Sequence, residues 1–94
     1  MSLPDAGEDI PTLEYRYDTR LLIEGKALDE DVIYTYFIDR FEGDSLLAVG
    51  DEELVKVHFH TNEPWKVLET CASLGEIYDI VVEDMDRQSR GLQG

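Results

Sequence analysis

Residues 14–24, EYRYDTRLLIE, alternate between two kinds of side chain, and this pattern limits the folds that the chain can adopt. The largely apolar or aromatic set is Tyr15, Tyr17, Thr19, Leu21 and Ile23; the mostly polar set is Arg16, Asp18, Arg20, Leu22 and Glu24. A period of two predicts a β-strand with one packed face and one mostly polar face. The rest of the chain must therefore supply a layer that covers one side of a sheet.

The segments that follow supply such a layer. Acids precede apolar residues at helical spacing in one segment, and a second apolar helical face contains Cys71. Thr61 or Asn62 is predicted to cap this second helix, and Gly75 to end it in a left-handed conformation. The predicted elements are strand 14–24, helix 29–41, strands 45–49 and 54–60, helix 64–74 and strand 77–83.

This order of elements is that of the split βαβ, or ferredoxin-like, α+β fold. It predicts a two-layer sandwich in which a four-stranded antiparallel sheet carries both helices on one face, with the first and third strands as central neighbours. Another small α+β sandwich with the same elements is the alternative. A chain of 94 residues has room for one modest core, which we assign to a single domain, 14–86. Residues 1–13 are predicted to be a mobile acidic linker, with 1–3 either native or a vector remnant, and residues 87–94 a polar tail.

The net charge of −14 narrows the possible partners. A nucleic-acid-binding protein must neutralise phosphates, and 8 basic against 22 acidic residues argue against that function. The same charge repels anionic membranes, and the sequence contains neither a transmembrane run nor a signal peptide. The lone Cys71 is typical of a reducing compartment, so we expect a cytoplasmic location.

Both histidines, His58 and His60, lie two residues apart in predicted strand 54–60. Because Val55, Val57 and Phe59 must lie under the helices, the histidines are expected on the open face, where Asp18 of the neighbouring first strand also points. Two imidazoles and a carboxylate are adequate ligands for zinc or a similar divalent ion. Histidines on a polar strand face are also common without a metal, so both interpretations stay open. The open face could instead pair with a second copy of the chain, through Leu22 and Leu54.

Other chemistries are less well supported. Cys71 is expected to be a small core residue rather than a nucleophile, and the sequence has no glycine-rich phosphate loop and no nucleophile elbow. Glu83, Asp84 and Asp86 are either a cation site or, in our preferred interpretation, a solvated strand end. These features favour a binding or assembly module over an enzyme.

Three motifs together resemble one region of the bacterial dihydroxyacetone-kinase-like proteins of the fatty acid kinase catalytic subunit family. They are YRYDTRLLIEG at 15–25, GDSLLAVGDEELVKVHFHTNEPWKVLE at 43–69 and GEIYDIVVEDMDRQ at 75–88. The resemblance implies a non-catalytic middle domain that mediates dimerisation, so a homodimer is expected. It implies that ATP and magnesium bind to a separate kinase domain of the parent protein. That protein would phosphorylate a fatty acid for phospholipid synthesis, together with a fatty-acid-binding partner.

The resemblance also implies a zinc site, because the family's middle domain holds zinc through a cysteine of the first strand and the two histidines of an H-x-H motif. His58 and His60 match this motif, whereas Asp18 occupies the position of the cysteine. Carboxylate is a harder ligand than thiolate, and Arg16 and Arg20 flank it as competing partners. The alternative function is a stand-alone ferredoxin-like module that senses a small molecule.

Overall fold

The computed structural model describes residues 14–93 of the chain. Its elements, in chain order, are β1 (Tyr17–Glu24), α1 (Glu30–Arg40), β2 (Asp44–Gly50), β3 (Leu54–Thr61), α2 (Pro64–Leu74), β4 (Glu76–Asp84) and α3 (Met85–Ser89). The predicted linker, residues 1–13, lies outside the described residues. Sequence analysis missed α3, which crosses the expected boundary at residue 86; the extent of the domain stays a prediction.

The four strands form one antiparallel sheet in the order β2-β3-β1-β4. This arrangement confirms the predicted α+β fold, with β1 and β3 as central neighbours. Their register pairs Asp18 with His60 and Arg20 with His58. One side of the sheet packs against α1 and α2, and the other side, the open face, carries no helix of the described chain.

The core lies between the sheet and the two long helices. Phe37 of α1 packs edge-to-face on Phe59 of β3, with ring centroids 5.4 Å apart. Each fully buried large apolar side chain contributes roughly 1.5–3 kcal/mol to folding, and a core of this size suits one small domain. Its members are Leu21, Ile23, Ile33, Phe37, Ala48, Val55, Val57, Phe59, Val67 and Cys71.

The two long helices begin differently. Asp29 caps α1, because its side chain accepts hydrogen bonds from the backbone N–H groups of Asp31 and Val32. The predicted capping of α2 by Thr61 or Asn62 is wrong: its N-cap is Glu63, without a side-chain cap. Asn62 instead accepts a 2.8 Å hydrogen bond from the Arg16 N–H, which fixes the chain just before β1.

Gly75 also differs from its prediction. Its φ of 176° is extended rather than left-handed. A side chain at this position would collide with the Glu24 carbonyl oxygen of β1. The glycine is therefore required for close approach of the two chain segments rather than for a left-handed turn.

Both edge strands contain a β-bulge. The register of β2 against β3 shifts between Asp44 and Leu47, and that of β4 against β1 shifts where Leu21 is crossed. Ser45 and Asp79, at these two irregularities, have positive φ values of 56° and 52°. An extra residue inverts the alternation of faces along a strand. Asp44 of β2 and Glu83 of β4 consequently lie on the open face, in the same row as Asp18 and His60.

Candidate metal centre on the open face

The three predicted site residues meet on the open face. Asp18 comes from β1, and His58 and His60 come from the adjacent β3. Val55, Val57 and Phe59, which alternate with the histidines, are buried under the helices, and this burial directs both imidazoles outward. The three side chains are only partly exposed, at 19% for Asp18, 31% for His58 and 23% for His60.

The potential ligand atoms converge on one oxygen. Nε2 of His58 lies 2.7 Å from Oδ1 of Asp18, and Nε2 of His60 lies 3.8 Å from the same atom. Each residue offers one ligand atom to a group within which all distances are at most 4.8 Å. Ligand atoms around a tetrahedral zinc ion lie about 3.3 Å apart, given metal–ligand bonds of about 2.0–2.1 Å. Small side-chain rotations would therefore bring the three atoms to metal-binding distances.

The short contact between His58 and Asp18 is not a hydrogen bond. Both atoms are buried, and neither has a hydrogen-bond partner among the described residues. Leaving buried polar atoms unpartnered costs free energy, roughly 1–3 kcal/mol per group. A divalent cation bound between them would satisfy both atoms at once, so the donor set fits a metal such as zinc.

Two arginines near Asp18 are largely engaged elsewhere. Arg20 donates a 2.6 Å hydrogen bond to Glu83, and its Nε is 3.8 Å from Oδ2 of Asp18, the oxygen that does not face the imidazoles. Arg16 is bound through Nε and Nη2 to Asp84, at 2.8–3.0 Å. Oδ1 of Asp18 therefore remains directed at the histidines rather than at a guanidinium.

The acids at the end of β4 form ion pairs rather than a cluster of free carboxylates. Asp84 binds Arg16 and caps α3, and Asp86 lies within 3.1 Å of Arg90. The hydrogen bond from Arg16 lowers the pKa of Asp84 to about 2, despite opposing desolvation. This geometry agrees with a strand end held by salt bridges.

Cys71 is far from this chemistry in the fold. It lies on the core side of α2 with no exposed surface, which confirms its prediction as a core residue. Burial raises the pKa of its thiol to about 12. The thiolate form that attacks electrophiles or binds metals is therefore strongly disfavoured.

Sequence analysis missed one residue of this site, Asp44. Its Oδ1 lies 3.4 Å from Nδ1 of His60, the ring nitrogen that faces away from Asp18. Asp44 was assigned to a turn because it precedes Ser45, and the bulge that carries it into the row of His60 depends on pairing with β3. The H-x-H spacing marked the histidines, but no comparable spacing marked their carboxylate neighbour.

A family model described as the FakA-like middle domain of fatty acid kinase matches residues 14–92. The chain belongs to this family. Within the FakA-like middle domain, the candidate metal centre lies on the two central strands, inside the matched range.

The domain is also similar to curated proteins of Staphylococcus aureus. Those of strains USA300, NCTC 8325 and N315, each described as an uncharacterized protein, are 40% identical to it over 80 residues, which cover 81% of this chain. The chain spans 14% of the length of these relatives. No helix in the described part of the domain has the length and apolar character needed to cross a membrane.

Proposed function

We propose that this domain is a non-catalytic assembly module of an ATP-dependent fatty-acid-kinase-like protein, in which it joins two copies of the chain and binds a zinc ion. ATP and magnesium would bind to a kinase domain elsewhere in that protein, which would phosphorylate a fatty acid carboxylate presented by a fatty-acid-binding partner in the cytoplasm. The family match over residues 14–92 supports the assignment to such a protein.

One observation carries the zinc proposal: Nε2 of His58 and Oδ1 of Asp18 are buried 2.7 Å apart without hydrogen-bond partners in the described chain. Asp18, His58 and His60 would hold the ion, leaving a coordination position for water or a partner group. The ligands come from two adjacent strands, so the metal would cross-link β1 to β3 at the end of the sheet that carries Asp18. The role assigned to the metal is structural.

The zinc proposal is tested by elemental analysis and by competition with a chromophoric chelator. We expect about one zinc per chain in the wild type, loss of that zinc in His58→Ala, and retention in Lys56→Ala, which changes the adjacent open-face position on β3. Asp18→Cys should bind zinc more tightly than the wild type, because thiolate is the softer ligand. A wild-type chain that takes up no zinc, or a His58→Ala chain that keeps all of it, would contradict the site.

The apolar side chains of the open face support self-association. Val49 is 44% exposed, and Leu47, Leu54 and Val81 are 38–40% exposed on the same side of the sheet. Contiguous apolar patches on a small domain commonly mark an interface. Their central position among the strands, away from the loops, suits a two-fold pairing of two sheets face to face.

Sedimentation at micromolar concentration tests this pairing. We expect a dimer for the wild type and a monomer for Val49→Asp, because a buried unpaired charge is strongly unfavourable. Val32→Asp is the matched control: Val32 is 63% exposed on α1 and lies on the other side of the sheet, so this variant should remain a dimer. A monomeric wild type, or dissociation by Val32→Asp alone, would refute pairing through the open face.

The non-catalytic assignment has its own assay. The isolated chain, incubated with ATP, magnesium and a long-chain fatty acid, should release no ADP above background. Turnover that copurifies with this chain would show that it contains an active site.

A further inference from the structure

We infer that Asp44 is a positioning residue that holds His60 in the tautomer and orientation required by the metal. The inference rests on the proposed zinc site and extends it by one residue. Asp44 itself would not touch the metal, because it contacts the opposite side of the imidazole ring.

The two nitrogens of His60 face two different carboxylates. Nε2 is 3.8 Å from Oδ1 of Asp18, and Nδ1 is 3.4 Å from Oδ1 of Asp44. A neutral imidazole carries one N–H, and an ionised carboxylate can only accept hydrogen bonds. Placing the proton on Nδ1, towards Asp44, leaves the lone pair of Nε2 directed at the cluster. A carboxylate on the far nitrogen of a metal-binding histidine also increases the basicity of the ring.

The backbone around Asp44 is built for this contact. The β2–β3 register places Asp44 directly opposite His60, and the bulge at Ser45 turns its side chain to the open face. The preceding Gly43 packs so closely on β3 that an added Cβ would collide with the Phe59 ring and the His60 carbonyl oxygen. The start of β2 is thereby held against His60, although the Asp44 side chain itself is 58% exposed.

The test compares Asp44→Ala, Asp44→Asn and a charge control, Glu42→Gln. Glu42 is exposed two residues before Asp44, so its variant removes a nearby negative charge without touching an imidazole nitrogen. Zinc affinity, measured by chelator competition, should fall about 10–100-fold in Asp44→Ala and less in Asp44→Asn, whose amide oxygen still accepts a hydrogen bond. Glu42→Gln should lose no more than about 3-fold, as expected for a screened surface charge.

Two spectroscopic measurements separate positioning from a general loss of structure. Long-range ¹H–¹⁵N correlation spectra of the metal-free protein should show His60 protonated on Nδ1 in the wild type and in Asp44→Asn, and a mixture of tautomers in Asp44→Ala. Cobalt-loaded Asp44→Ala should keep the absorption intensity of an unchanged ligand number, with shifted bands, because the ligands stay and only the ring orientation changes.

The outcomes separate this inference from the zinc proposal. A wild-type chain that binds neither zinc nor cobalt overturns both. If the wild type binds zinc, equal losses in Asp44→Ala and Glu42→Gln overturn the inference alone, since charge rather than contact would then explain them. An unchanged zinc affinity in Asp44→Ala overturns it as well.

Discussion

Asp44 and Leu47 are three residues apart in β2, yet both side chains lie on the open face, opposite His60 and His58 respectively. Regular alternation would place them on opposite faces. The bulge at Ser45 and Leu46 accounts for the difference, because two residues there oppose the single residue Phe59. One local irregularity thus brings a second carboxylate to the histidines while the rest of β2 keeps Ala48 in the core.

The left-handed conformation of Ser45 leads to the first prediction. Its φ of 56° is unfavourable for residues with a Cβ, by roughly 1–2 kcal/mol, and worst for β-branched ones. We expect Ser45→Val to lower the free energy of unfolding by about 1–2 kcal/mol, whereas Ser45→Gly should leave it unchanged or raise it by up to about 1 kcal/mol. Urea denaturation measures both. Asp79, with a φ of 52°, is the parallel site, and Asp79→Val and Asp79→Gly should show the same order of stability. Equal stability of the valine and glycine variants would mean that the backbone strain is relieved in another way.

The bulges also explain what sequence analysis could and could not predict. β1 and β3 alternate regularly, so their buried residues and the open-face position of Asp18, His58 and His60 followed from a period of two. β2 and β4 are edge strands whose alternation is interrupted by bulges, and no local sequence signal marked Ser45 or Asp79 as left-handed. Asp44 was missed for this reason, although the strands that carry the three predicted residues were assigned correctly.

Helix amphipathicity was predicted with less success than strand alternation. The apolar spacing of α1 indicated five buried residues, but Val32 and Tyr36 are 63% and 38% exposed, and only Ile33 and Phe37 are buried. Two helices on a four-stranded sheet do not cover every apolar position of their own surfaces. How far each helix leans towards the other depends on tertiary packing, which a period of 3.6 cannot report.

A second prediction concerns acid stability. The pKa of Asp84 is lowered to about 2 from its ordinary value of 3.8, chiefly by the hydrogen bond from Arg16. A lowered carboxyl pKa in the folded state stabilises the fold above pH 3.8, and this contribution is lost as the pH falls towards 2. In Asp84→Asn the amide can still cap α3 but carries no charge, so the decline in unfolding free energy between pH 4 and 2 should be shallower than in the wild type.

Unfolding by urea at a series of pH values measures this effect. Glu69→Gln, at an exposed position on α2, is the control and should follow the wild-type profile. Coincident profiles for Asp84→Asn and the wild type over this window would show that the Arg16 pair contributes no pH-dependent stability.

The third prediction concerns Cys71. Because burial raises the pKa of its thiol to about 12 and leaves no exposed surface, a thiol-specific reagent at pH 8 should modify the native domain only as fast as it opens. Denaturation should make one thiol per chain react at once. The rate is measured with an aromatic disulfide reagent with and without guanidinium. Modification of the native domain at the rate of a free cysteine would mean that α2 detaches from the sheet easily.

Two buried threonines give a matched pair for the last prediction. Thr19 of β1 and Thr61 of β3 are 0% and 3% exposed, and both hydroxyls lie on the side of the sheet that faces the helices. The Thr61 hydroxyl donates to the Glu42 carbonyl oxygen at 3.1 Å and accepts from the Glu63 N–H at 3.2 Å. Oγ1 of Thr19 has no hydrogen-bond partner among the described residues.

Substitution by valine, which has nearly the same shape, should therefore have opposite effects at the two positions. Thr19→Val removes an unsatisfied hydroxyl and should raise the free energy of unfolding by about 1 kcal/mol, whereas Thr61→Val breaks two hydrogen bonds and should lower it by about 1–3 kcal/mol. Urea midpoints, at an unchanged dependence on denaturant, measure the two shifts. Destabilisation by both substitutions to the same extent would show that the Thr19 hydroxyl is satisfied in solution, by water or by a part of the chain outside residues 14–93.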